Sequence, residues 1–217
     1  MATKTKVVSS IALLVVLAAV AAWVLLPQAK PPALAVPGLQ VMEKAVPLPA
    51  FTLEDHFGAA FTNARLKGHW TLMFFGYTHC PDVCPTTLDT VKKALAKIDG
   101  SLRPEFVFVT ADPRRDTPAR LNDHVRFFDP SFVGVTGSDE AQQPLREALG
   151  VLVEYEDPVS GDPIRDLTKL SADSDYLVQH TASLFFIDPK GRLVAYLLPP
   201  QSVEGLSDSL RGLRGQP

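Results

Sequence analysis

Thr71–Tyr77 (TLMFFGY) is an unbroken apolar and aromatic run of strand length, and it restricts the fold more than any other feature of the chain. A strand with one wet face alternates polar and apolar side chains, whereas a run without alternation suits a strand covered on both faces. Phe106–Thr110 (FVFVT) repeats the pattern, and Phe132–Thr136 is a third strand. Stretches of helical periodicity lie between them. After Pro85, the residues Leu88, Val91, Leu95 and Ile98 fall on one helical face. Thr117-Pro118 supplies an N-cap and a proline at the first helical position, with Leu121, Val125 and Phe128 along the face that follows. Asp139–Leu149 reads as a helix ended by Gly150. Strands alternating with helices predict an α/β sandwich around a central mixed sheet.

The flanking segments extend this pattern. Phe51–Leu53 and Ala60–Thr62 bracket Gly58 as a short hairpin, and Val151–Tyr155 is available to pair with a neighbour. Asp157–Asp175 is polar and reads as a long loop. Leu184–Ile187 and Leu193–Leu198 flank Asp188-Pro189-Lys190-Gly191, whose proline and glycine fit a turn, so a β-hairpin is expected. Val203, Leu206, Leu210 and Leu213 give a last helix one apolar face.

At the other end, Val7 to Leu26 is 20 residues without a charge. At about 1.5 Å per residue a helix of that length reaches about 30 Å, the thickness of a bilayer core. Lys4 and Lys6 precede it with no acid nearby, which predicts a cytoplasmic N-terminus (residues 1–6), a transmembrane helix over 7–26 and an exported remainder. The alternative is a signal peptide cleaved near Ala19-Val20-Ala21, although such apolar regions are usually about 7–15 residues long. Prolines at 27, 31, 32, 37 and 47 mark residues 27–47 as a semi-extended tether, which leaves 48–217 as the folded domain. Removing residues 1–30 takes three of the 21 basic residues and none of the 24 acidic ones. The rest has 18 against 24, a net charge of −6, and so lacks the positive surface that nucleic acid requires.

The chain has two cysteines, too few for a disulfide scaffold or a four-cysteine metal site, and both lie in Cys80-Pro81-Asp82-Val83-Cys84. This segment joins the buried strand Thr71–Tyr77 to the following helix, at the strand end where α/β sheets place their sites. Amide groups at a helix N-terminus favour the thiolate, the species that attacks disulfides and binds metals. Asp82 opposes it with its own negative charge. Cβ atoms four residues apart on a helix are about 5–6 Å apart, against about 3.5–4.5 Å in a disulfide. A metal at about 2.3 Å from each sulfur tolerates a gap of about 4.6 Å, so a metal clip suits the spacing at least as well as a redox couple. Soft thiolates select Cu(I) or zinc. A small disulfide loop and a pair of inert thiols are the plainer alternatives.

Five histidines compete for the place of a third ligand. His180 follows the long polar loop and immediately precedes a strand. His79 adjoins Cys80, but neighbouring residues on an extended segment point to opposite sides. His56, His69 and His124 sit in turn or helix contexts that favour a local hydrogen bond. Asp112 and Asp116, in Asp112-Pro113-Arg114-Arg115-Asp116-Thr117-Pro118, read first as turn and capping residues and second as neighbours of the site.

Taken together, Phe75-Gly76-Tyr77-Thr78-His79-Cys80-Pro81-Asp82-Val83-Cys84-Pro85, Thr110–Pro118, Phe132-Val133-Gly134-Val135-Thr136-Gly137 and His180-Thr181-Ala182-Ser183 closely resemble the Sco/SenC family, over most of residues 48–213. The resemblance implies a thioredoxin-like fold on a membrane tether, and copper, as Cu(I) and also Cu(II), held by Cys80, Cys84 and His180. Asp82, Asp112 and Asp116 would stand around that site. It implies a non-enzymatic carrier that delivers copper to the dinuclear copper site of cytochrome c oxidase subunit II, served by a copper donor and a thiol reductant. A single-pass protein of a bacterial-type inner membrane with a periplasmic domain is the corresponding location. The alternative reading is a membrane-anchored thiol–disulfide oxidoreductase cycling Cys80 and Cys84. Against it stand three residues between the cysteines, where such enzymes usually have two, and no proline next to His180-Thr181-Ala182.

Overall fold

The computed structural model describes residues 36–100 and 103–214. The expected anchor Val7–Leu26 lies outside them, and among the described residues no helix is long and apolar enough to cross a membrane. The elements run β1 (Leu39–Pro47), β2 (Thr52–Asp55), β3 (Ala60–Thr62), β4 (Thr71–Gly76), α1 (Val83–Leu95), β5 (Glu105–Thr110), α2 (Pro118–Phe128), β6 (Val133–Thr136) and α3 (Asp139–Leu149). They continue with β7 (Val153–Glu156), β8 (Leu177–His180), β9 (Leu184–Ile187), β10 (Arg192–Leu197) and α4 (Val203–Arg214).

An eight-stranded mixed sheet in the order β1-β10-β9-β4-β5-β6-β2-β3 forms the body, and β7 and β8 pair separately. β4, β5 and β6 are parallel, and β9 runs antiparallel along the other side of β4. Every residue of β4 is buried, as its unbroken apolar run requires. Its side chains serve two cores. Leu72 and Phe74 join Phe106 and Phe108 against α1, α2 and α4, while Met73 and Phe75 join Val107 and Val109 against α3 and the β2–β3 hairpin. The period of two along each strand thus fills both sides of the sheet.

The ends of the helices follow their sequences. The Thr117 and Ser138 hydroxyls accept the Arg120 and Ala141 N–H groups, and Gly150 takes a left-handed conformation (φ 66°) after α3. In the turn between β9 and β10, Asp188 accepts the N–H groups of Lys190 (2.9 Å) and Arg192 (3.0 Å).

Two expectations need correction. Residues 39–47 are not tether: they form β1, antiparallel to β10, with a register shift between Val41 and Val46. β1 is an edge strand, where a terminal proline such as Pro47 costs no ladder hydrogen bond. The folded region therefore begins before residue 48. Nor does His180 stand in a loop just ahead of a strand: it is the last residue of β8, which follows the polar stretch and gives Val151–Tyr155 its expected partner, Val153 pairing with His180 and Glu156 with Leu177.

Candidate metal centre

The site forms where β4 ends. At Gly76 a Cβ would lie 2.7 Å from a Phe108 ring carbon and 2.9 Å from one of Phe74, so only glycine lets the chain leave the strand under these buried rings. Cys80 sits in the following loop, half-buried, and Cys84 is fully buried in the first turn of α1. Both are free thiols. The Cys84 N–H, one of the unpaired donors of the helix start, points at the Cys80 sulfur (3.4 Å). The Cys84 side chain, then His180 and the N–H groups of Asp82 and Cys84, draw the Cys80 pKa down to about 4 against the penalty of burial. Cys84 moves the other way, raised by Cys80 beside it and by its own burial. The two thiols are thus driven apart, Cys80 toward the thiolate and Cys84 toward the protonated form.

His180, the last residue of β8, brings Nε2 to 3.5 Å from the Cys84 sulfur. Its Nδ1 lies 3.3 Å from the Thr181 carbonyl, a partner that can only accept, and the Nδ1–H tautomer favoured by that contact is the one whose Nε2 can bind a metal. Such a carbonyl partner is how metal-binding histidines are commonly oriented. Phe74 and Tyr77 hold the ring edge-on, at 6.0 and 5.9 Å between centroids. The ligand atoms of Cys80, Cys84 and His180 all lie within 4.8 Å of one another. Cys80 and His180 line an open cleft of about 340 Å³ together with Tyr77, Pro81, Asp82 and Leu177, and Cys84 lies buried behind them. Two soft sulfurs, of which Cys80 is reachable from the cleft, and an imidazole nitrogen form a donor set for a low-coordinate soft metal.

The three aspartates divide. Asp82 occupies the N-cap position of α1 without a side-chain cap bond and lines the cleft. Asp116 is buried, and its side-chain hydrogen bonds go to Thr78 and Thr110 rather than to a ligand atom. It accepts the Thr78 N–H (3.0 Å), the Thr110 hydroxyl (2.6 Å) and the Thr78 hydroxyl, and burial raises its pKa against these bonds. Asp112, also buried, pairs with Arg115 and accepts the Tyr176 hydroxyl (2.7 Å). The remaining histidines are engaged elsewhere. His79 lies against Arg120 (2.9 Å), His56 accepts the Gly134 N–H (2.7 Å), His69 is 3.3 Å from Glu105, and His124 packs on Phe108 and Phe128. Tyr77, Arg115 and Tyr176 are the neighbours that residue type alone did not mark. The only sequence signal near them was the Arg114-Arg115 pair between two aspartates.

The family model of SCO1/SenC matches residues 41–214. The chain belongs to the SCO1/SenC family. It is 34% identical over 161 residues to a putative copper-binding protein of Stutzerimonas stutzeri, covering 73% of this chain and 72% of that one. It is also 34% identical over 164 residues to the mitochondrial SCO2 homolog of Bos taurus, covering 74% of this chain but only 57% of the bovine protein. Among solved structures, Arabidopsis thaliana ScoI with copper bound superposes with a TM-score of 0.66 at 30% identity, over 76% of this chain and 97% of that one. The mixed α/β fold expected from the resemblance is thus the fold of the family.

Proposed function

We infer that this SCO1/SenC protein is a copper carrier in which Cys80, Cys84 and His180 hold the metal. The convergence of these three ligand atoms within 4.8 Å, at the mouth of a cleft, carries the reading. Thiolates favour Cu(I) over hard cations, and three ligands leave room for an incoming thiolate. Copper then leaves by stepwise exchange, with half-buried Cys80 and the end of β8 nearest to the acceptor. The relatives with copper in their names support this choice of metal. By family resemblance the acceptor is the dinuclear copper site of cytochrome c oxidase subunit II. The 7–26 segment anchors the chain in a bacterial-type inner membrane with the folded domain outside the cytoplasm. Anaerobic titration of the reduced full chain with Cu(I) against a chromogenic chelator tests the reading. One tightly held copper per chain, weakened by His180→Ala and abolished by Cys84→Ser, is expected. Unchanged retention in Cys84→Ser overturns it.

One observation favours a second reading. A half-buried thiolate beside a buried, protonated partner is also the arrangement of an attacking and a resolving cysteine, so Cys80 would open the disulfide of a partner protein and Cys84 would release it. Absence of competitive Cu(I) binding together with a readily reduced Cys80–Cys84 disulfide would select it.

A further inference from the structure

The two halves of the metal centre come from segments far apart in sequence, and one short turn touches both. Asp112–Asp116 follows β5 and is closed by backbone bonds from the Arg115 and Asp116 N–H groups to the Asp112 carbonyl (3.3 and 3.0 Å). At one end Asp116 grips Thr78, two residues before Cys80, through its N–H and its hydroxyl. At the other end Arg115 pairs with Asp112 and donates to the Tyr176 carbonyl (3.1 Å), four residues before His180. The Tyr176 hydroxyl returns to Asp112 (2.7 Å), and the Arg115 guanidinium lies 3.6 Å from the centroid of the Tyr176 ring. It also lies 5.9 Å from the centroid of Tyr77, the ring that holds His180 edge-on.

Stability alone does not account for this arginine. A buried ion pair contributes little against apolar side chains of equal volume, and Arg115 Nη2 is buried with no hydrogen-bond partner among the described residues. What an arginine does here that an apolar residue cannot is tie two segments together through a planar fork with several donors.

We propose that Arg115, with Asp112 and Tyr176, is a positioning clamp that fixes the His180-bearing strand at its distance from the cysteine loop, and so sets the strength of the third ligand. Among the described residues β8 pairs only with β7, outside the main sheet, so its placement depends on such side-chain ties. The clamp rests on the reading of Cys80, Cys84 and His180 as the copper ligands.

The test compares full-length Arg115→Lys and Tyr176→Phe with wild type, after circular dichroism has shown that each is folded. Tyr176→Phe removes a single oxygen and keeps the ring under the guanidinium, which makes it the variant safer for folding. In the reduced, copper-free chain the His180 ring resonances should shift or broaden in both variants while those of His56 stay in place. Unchanged His180 resonances overturn the clamp whatever the metal data say. Cu(I) affinity should fall about 10–100-fold in Arg115→Lys, the range for groups that orient a metal ligand. It should fall no further when Arg115→Lys is added to His180→Ala, because a group acting through His180 has nothing left to act on. Equal losses in both backgrounds would overturn the proposal. A wild type that takes up no copper would refute the ligand reading instead, and the ring resonances would still decide the clamp.

Discussion

In the reduced, copper-free chain, a Cys80 pKa of about 4 should change how the protein reacts with disulfides across the neutral range. At pH 6 a thiol with the ordinary value of 9.0 is about 0.1% ionised and Cys80 about 99%, a gain of about a thousandfold in thiolate. Low-pKa thiolates are weaker nucleophiles. With a Brønsted coefficient of about 0.4–0.5, the lower pKa costs about 100–300-fold in intrinsic rate. The net expectation is attack about 3–10-fold faster than by a free cysteine at pH 6, and about 50–150-fold slower at pH 9. The profile is flat above about pH 6 and falls only near pH 4. Stopped-flow reaction with a pyridyl disulfide from pH 4 to 9 measures it, and Cys80→Ser should be nearly silent because Cys84 is 0% exposed. A rate that climbs about tenfold per pH unit between 6 and 8, as for an ordinary thiol, would refute the assignment of the thiolate to Cys80.

The same shifts fix the sign of a stability profile. The folded Cys80 pKa is depressed, so its contribution is complete above about pH 9 and is lost as pH falls toward 4. The folded Cys84 pKa is raised, so its contribution is complete below about pH 9 and is lost above it. The urea midpoint of the reduced chain, relative to a Cys80→Ser/Cys84→Ser variant, should peak near pH 9, and a peak at acidic pH would contradict both directions. Gly76→Ala would press a methyl into the Phe108 and Phe74 rings at 2.7 and 2.9 Å. Overpacking of this kind costs about 1–3 kcal/mol, so a thermal midpoint lower by about 3–10 °C is expected, and an unchanged midpoint would show that the rings yield freely. Ser138→Ala removes the cap on the Ala141 N–H and should lower stability by about 1 kcal/mol with an unchanged denaturant slope, while Ser138→Asp should restore most of it.

Features governed by local pattern were legible in the sequence. The unbroken apolar runs gave β4 and β5, the apolar helical faces gave α1, α2 and α4, the stop at Gly150 gave α3, and the cysteine pair fell where a central strand meets a helix. The Asp188–Gly191 turn was readable because its proline and glycine have local conformational meaning. β1 was obscured because the prolines around it argue for a tether, and only pairing with β10 along a sheet edge makes that segment a strand. β8 was obscured because its partner Val153–Glu156 lies across a long polar stretch, and such pairing leaves no local signature. The same distance limited the reading of His180. Its residue type and position left it one histidine among five, family resemblance singled it out, and the β7–β8 pairing is the physical reason it reaches Cys84. The roles of Arg115 and Tyr176 could not be read beyond the arginine pair's place between two aspartates, because they depend on side-chain reach between segments rather than on spacing along one.

X-ray absorption of the Cu(I)-loaded full chain tests the central claim most directly, since it counts the atoms bound to the metal. The account predicts two sulfurs and one nitrogen in wild type, with the nitrogen lost in His180→Ala and kept in His79→Ala. A copper shell with a single sulfur, or one whose nitrogen survives His180→Ala, would contradict it.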